Sequence, residues 1–142
     1  MLAAAAVVAL LTVVGAMFFI GRSTEQADPL RDCLATASDE RTMPASPSSV
    51  GTVTTTVSAS CGAALVQISG VPAAPADHTY QMWVITGDQT RSVATMDPDD
   101  TGTMPDVVTA VHVGDTALGV TVEPAGGSPV PTSEPVIVVP LV

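Results

Sequence analysis

The chain has 142 residues, a mass of 14.3 kDa and a formal net charge of −10, a length that favours a single domain. Aromatics make up 3% and charged residues 13%, about half the ~25% charged fraction of ordinary soluble domains, and the apolar content of 46% is too high for simple disorder. Four Arg without a single Lys leave no electrostatic footprint for nucleic acid, and the two His and two Cys lie too far apart to read as a Cys/His zinc cluster.

The first element is Leu2–Ile20, an uncharged run of nineteen residues reading LAAAAVVALLTVVGAMFFI. As a helix at ~1.5 Å per residue it would reach roughly 28 Å, close to a ~30 Å hydrocarbon core. Only a helix satisfies its backbone there without water. The expected membrane anchor occupies 1–22, with Leu2, Ala9, Val13, Phe18, Phe19 and Ile20 in the bilayer and Arg22 placed to snorkel to the head groups. A cleaved signal peptide is the rival. It needs a basic leader, a shorter apolar core and a small-x-small cleavage site, and none of these is evident around the run. Arg22 and Arg31 follow the run, which by charge alone would favour the inside. The acidic, Lys-free remainder with its two Cys suits the outside, so the expected placement is a single-pass protein of the cell membrane with an extracytoplasmic carboxy-terminal domain.

Residues 23–50 read as a stalk, because Ser, Thr, Asp and Pro dominate. Pro29–Ala37 has room for one short helical turn, and an edge strand is expected from 40, over Glu40–Met43. From 51 to 142 the signal is β. Thr52–Ser58 sets Val53 and Val57 on one face through Thr55, and Ala64–Ser69 separates Leu65 and Gln67 from Val66 and Ile68. Thr79–Ile85 sets Tyr80, Met82 and Val84 against Gln81, Trp83 and Ile85. Arg91–Met96, Met104–Val111, Ala117–Glu123 and Pro135–Val142 follow, joined by Gly, Pro and Asp turns. Such spacing predicts an all-β domain, an antiparallel β-sandwich of about seven or eight strands. Trp83 is expected as a core anchor, being with Tyr80 the aromatic supply of this part. Val136–Val142 is apolar on both faces, so it is expected to be central or covered.

Candidate sites are few. Cys33 and Cys61, 28 residues apart, would form a disulfide outside the cell, with a redox switch as the sharper alternative. Asp97, Asp99 and Asp100 crowd one turn, but the EF-hand pattern fails and a Pro/Asp/Gly hairpin turn is the simpler account. His78 and His112 have no second ligand motif, so no metal and no cofactor are expected. No G-x-S-x-G elbow, phosphate loop or paired-carboxylate arrangement can be read, so neither an enzyme nor a small-molecule substrate is expected.

Two blocks resemble a known family. HTYQMWVIT (78–86), with Tyr80 and Trp83, is similar to the Y-x-L-W-x-I strand of the carboxy-terminal domain of anti-sigma-K factors. LGVTVEPAGGSPVPTSEPV (118–136) resembles that family's second hallmark through Glu123, Pro124, Gly126, Gly127, Pro129 and Pro131, residues expected to be structural. The resemblance covers about residues 36–142 together with the anchor. It implies a non-enzymatic outer domain that regulates transcription by sensing through protein contacts, with sigma-factor signalling partners and the lipid bilayer. No sigma-binding cytoplasmic segment stands before Leu2 in this sequence. The alternative expectation is an accessory subunit docked on a larger membrane protein complex.

Overall fold

The computed structural model of the protein describes residues 28–44, 48 and 50–141. The run expected to span the membrane, with Leu2, Ala9, Val13, Phe18, Phe19 and Ile20, lies outside the described residues. Among the described residues no helix is long and apolar enough to cross a membrane.

One short helix, α1 (Pro29–Thr36), precedes eight strands: β1 (Arg41–Pro44), β2 (Thr52–Ser58), β3 (Ala63–Ser69), β4 (His78–Thr86), β5 (Gln89–Met96), β6 (Val107–Ala110), β7 (Ala117–Pro124) and β8 (Ile137–Pro140). They form two antiparallel sheets of four strands, in the orders β1-β2-β3-β6 and β5-β4-β7-β8. The period-2 alternation decides which residues point inward. Val53, Thr55 and Val57 of β2 are buried, and so are Val66 and Ile68 of β3. They share one core with Tyr80, Met82 and Val84 of β4 and Leu118 and Val120 of β7. Each such aliphatic side chain contributes about 1.5–3 kcal/mol on burial, which is the main driving force in a domain this small.

Three expectations change. Trp83 is buried, but on the opposite face of β4 from the shared core, because strand alternation sends it there beside Gln81 and Ile85. β8 is an edge strand, not a central one. Its inward residues Ile137 and Val139 are buried while Val138 stays 39% exposed. The edge is blunted by its four-residue length, by Pro140 at its end and by Pro135 two residues before its start. Finally, Asp97–Gly102 closes no hairpin, since β5 and β6 belong to different sheets and this turn carries the chain between them. Asp99 organises it, accepting at Oδ1 from the N–H groups of Thr101 (2.8 Å) and Thr103 (2.9 Å).

The helix starts where Asp28 accepts from the Leu30 N–H at 3.0 Å, with Pro29 at the first position, where its missing N–H costs nothing. α1 lies against β3 and β6 with Leu34 as its buried residue. Cys33 is joined by a disulfide to Cys61, just before β3. In the chain-entropy account, closing a loop of 28 residues contributes roughly 3–4 kcal/mol.

Candidate functional site

The outer faces of the two sheets carry the polar chemistry. On the β5-β4-β7-β8 sheet, alternation places Thr121 and Glu123 of β7 on the same face as Trp83 of β4. The Trp83 indole N–H donates to the Thr121 hydroxyl (2.8 Å), and that hydroxyl donates to Glu123 Oε1 (2.6 Å). From the loop between β7 and β8, the Thr132 N–H donates to both carboxylate oxygens (3.0 and 3.1 Å), and the Thr132 hydroxyl donates to Oε2. Glu123 is fully buried. Burial alone would raise its pKa. The hydrogen bonds from Thr121, Thr132 and Ser128 outweigh that effect and hold it down at about 2.

A second clasp fixes the same loop. Gln81 Nε2 donates to the Ser92 hydroxyl (2.7 Å) and to the Ser128 carbonyl (3.0 Å), while its Oε1 accepts from the Ser128 N–H (2.8 Å). The loop can lie this close because residue 127 is glycine. A Cβ there would stand 2.7 Å from Gln81 Oε1 and 2.8 Å from Thr95 Cγ2, and φ is +84°. Between loop and sheet remains an apolar cavity of about 110 Å³, floored by Trp83 and walled by Pro131 and Pro135.

At one end of the sandwich, Asp115 pins the segment between β6 and β7. It accepts from the Thr86 hydroxyl and from the His112 N–H (2.8 Å), with Arg91 Nη2 at 3.7 Å. Burial would raise its pKa, but these donors and the positive charge of Arg91 bring it below the usual carboxylate range. The pinned segment leaves Val113 fully exposed over a cavity of about 190 Å³ lined by Arg41, Val57, Val111 and Leu141. On the β1-β2-β3-β6 sheet, Asp39 accepts from the hydroxyls of Ser58 (2.6 Å) and Ser60 (2.7 Å) and from the Ser60 N–H (2.9 Å). These bonds hold its carboxyl far below its ordinary value.

The residues singled out in the sequence fall into four groups. Cys33 and Cys61 are bonded to each other. Tyr80 sits in the shared core with its hydroxyl donating to the Pro72 carbonyl (3.1 Å), and burial pushes its pKa up. Trp83, Glu123 and Pro131 meet on the opposite face of the same sheet. Pro124 ends β7, Gly126 and Gly127 take positive φ, and Pro129 is exposed on the loop. Gln81, Thr121, Thr132, Asp39 and Asp115 are not marked by any motif in the sequence. For Gln81 and Thr121 a signal exists: polar residues alternate with Trp83 on strands too apolar to be solvated, which marks a covered polar face. Thr132, Asp39 and Asp115 are loop residues whose partners are distant in sequence, so no local pattern points to them. His78 Nδ1 contacts the Ala76 carbonyl at 2.8 Å. Among the described residues no group of three His, Cys, Asp or Glu side chains could hold a metal ion. Chemically, the buried carboxylates act as acceptors that fix loops.

The comparisons with known proteins agree with the two sequence blocks. The family model described as "Anti-sigma-K factor rskA, C-terminal" matches residues 1–136. The chain is 33% identical over 102 residues to the "Anti-sigma-K factor RskA" of Mycolicibacterium vanbaalenii, a match covering 68% of this chain and 41% of that protein. It is 40% identical over 85 residues to an "Uncharacterized protein in phr 5'region" of Streptomyces griseus, covering 58% of this chain and 34% of that one. These matches thus span less than half the length of either relative. No solved structure matches. The chain belongs to the family of anti-sigma-K factor carboxy-terminal domains.

Proposed function

We infer that this chain is the membrane-anchored, extracytoplasmic part of an anti-sigma-K type regulator, a non-enzymatic domain that works by touching other proteins. Leu2–Ile20 is the anchor within 1–22, residues 23–50 the connection, and 51–142 the outer domain. One observation carries the proposal. The Glu123–Pro131 block, on which the family resemblance rests most heavily, uses its carboxylate and its glycines to fix a loop onto a sheet. A hallmark used for architecture suits a domain that presents a rigid surface better than one that transforms a substrate. The other buried carboxylate, Asp115, is likewise occupied by donors from its own chain.

Expression of the full chain in an actinobacterial host tests this. The expected result is a carbonate-resistant membrane protein of intact mass that keeps residues 1–22 and reacts with a membrane-impermeant label on whole cells. Its overproduction should change the output of a sigma-dependent reporter. A soluble product trimmed of its first twenty residues, or one shielded from the external label, refutes the anchored outer domain. The second reading is an accessory subunit of a larger membrane complex, and the fully exposed Val113 on its pinned loop favours it. Comigration with a large complex in mild detergent, without any reporter response, would select that reading.

A further inference from the structure

The β1-β2-β3-β6 sheet carries a helix that its core does not need. Leu34 of α1 is buried, yet the continuous core of the sandwich contains no residue of that helix. Eight residues are too few for a helix to persist alone in water. Among the described residues three things hold it to β3 and β6. Leu34 supplies one apolar contact. Arg31 and Asp106 approach to 3.6 Å, but with side chains 48% and 38% exposed such a pair adds little. The third is the Cys33–Cys61 bridge. Cys33 is exposed and Cys61 half-buried, so a reagent reaches the bridge without unfolding the sandwich. Beyond the helix, Asp39 grips Ser58 and Ser60 through three hydrogen bonds independent of the bridge. That clasp sets a boundary for any opening that starts at α1.

We propose that Cys33–Cys61 is an exchange site for a dithiol reductant, and that its reduction frees residues 28–38 from the sheet as one unit while the Asp39 clasp and the sandwich stay in place. One thiolate of the dithiol attacks Cys33 Sγ, the Cys33–Cys61 bond breaks, and Cys61 leaves as a thiolate that takes up a proton. The second thiol of the dithiol then displaces Cys33 from the mixed disulfide. Two electrons and two protons pass to the protein, which ends with two thiols, and the reductant ends as a disulfide. Release changes α1 from a rod of ~12 Å to a segment that extends to ~27 Å. It also uncovers Leu65 and Val108, the half-buried partners facing each other on β3 and β6. The bridge therefore controls both the length of the connection to whatever precedes residue 28 and the exposure of an apolar face.

Trypsin supplies the test, because the Arg residues of the described region lie in three places: Arg31 in α1, Arg41 at the start of β1 and Arg91 in β5. The full chain in detergent micelles is compared oxidised and after dithiothreitol, with free thiols counted by alkylation and the buried Trp83 reporting on the sandwich. Reduction should accelerate cleavage after Arg31 by about tenfold or more, as local opening does, and leave Arg41, Arg91 and Trp83 fluorescence unchanged. A Cys33→Ser/Cys61→Ser double variant should behave the same way without reductant. If that variant does not fold, the reduced wild type decides alone. A bridge that resists dithiothreitol in the folded protein, an unchanged rate at Arg31, or cleavage rising together at all three sites would each overturn the proposal.

Discussion

The N–H and the hydroxyl of Thr132 both land on the carboxylate of Glu123, nine residues earlier in the chain. The same carboxylate takes the Thr121 hydroxyl, which in turn receives the Trp83 indole N–H. One buried charge thus connects β4, β7 and the loop that precedes β8. Trp83, Thr121 and Glu123 are already placed by the pairing of β4 with β7, so the Thr132 donors of the loop dock against a preformed acceptor.

Glu123→Gln tests the clasp. The amide is nearly isosteric but brings an NH₂ group to face donors that need an acceptor. Hydrogen bonds to a buried charge are worth about 2 kcal/mol in such substitutions. In a domain of this size that loss lowers the thermal midpoint by roughly 8–16 °C. Thermal unfolding followed through Trp83 fluorescence reads it directly. An unchanged midpoint would show that the loop is held by Gln81 and packing alone.

Acid should unfold the domain for the same reason. Glu123 has a folded pKa of about 2 against an ordinary 4.5, and Asp115 and Asp99 are shifted in the same direction. The unfolded chain therefore binds more protons than the folded one between those values, and stability rises with pH there. The contribution of Glu123 is fully present above pH 4.5 and is lost as pH falls toward 2. Urea midpoints at pH 7, 5, 4 and 3 should be flat at first and then drop below pH 5, with a shallower drop in Glu123→Gln. Equal slopes for the two proteins would contradict the assignment.

Strand positions are readable from local alternation because each period-2 pattern reports its own burial. Thr52–Ser58 is predicted residue for residue, and β3, β4 and β7 are within a residue or two at each end. The order of strands within a sheet is not local, and the misplacement of β8 shows why. Val136–Val142 looks buried on both faces, yet Val138 faces outward and two prolines guard the edge. The Trp83 side of β4 is similar. The alternation separates it from Tyr80 and Met82 correctly, but that a loop forty residues away covers it depends on Glu123 and Gln81 finding Thr132 and Ser128. The disulfide partners are legible because there are only two cysteines.

The paired glycines at 126 and 127 should respond differently to alanine. Both have positive φ, +91° and +84°, which costs any L side chain about 1–2 kcal/mol. At 126 nothing lies within 4 Å of an added Cβ, so the backbone cost is the whole effect. At 127 the Cβ would stand 2.7 Å from Gln81 Oε1 and must also break the Gln81–Ser128 pair. Gly127→Ala is expected to lose about 2 kcal/mol more than Gly126→Ala, the worth of a broken buried hydrogen-bond pair plus its clash. Urea unfolding of the two variants side by side measures the difference, and equal losses would mean that the loop does not rest on Gln81.

Thr55 offers a gain in stability. Its hydroxyl is fully buried between Met43 and Val66 in the pairing of β2, and among the described residues Oγ1 has no hydrogen-bond partner. A buried polar group left unpaired costs about 1–3 kcal/mol, whereas a methyl in the same place costs nothing to desolvate. Thr55→Val keeps the branched shape that β2 needs and should raise stability by about 1 kcal/mol. Thr55→Ala removes the hydroxyl but also leaves a void the size of a methyl group, so it should gain less or lose. The urea midpoint should rise for Val with an unchanged denaturant slope, since the exposed surface on unfolding is the same. A lower midpoint for Val than for Thr would show that the hydroxyl is bonded in solution, and a buried water would then have to occupy the core beside β2.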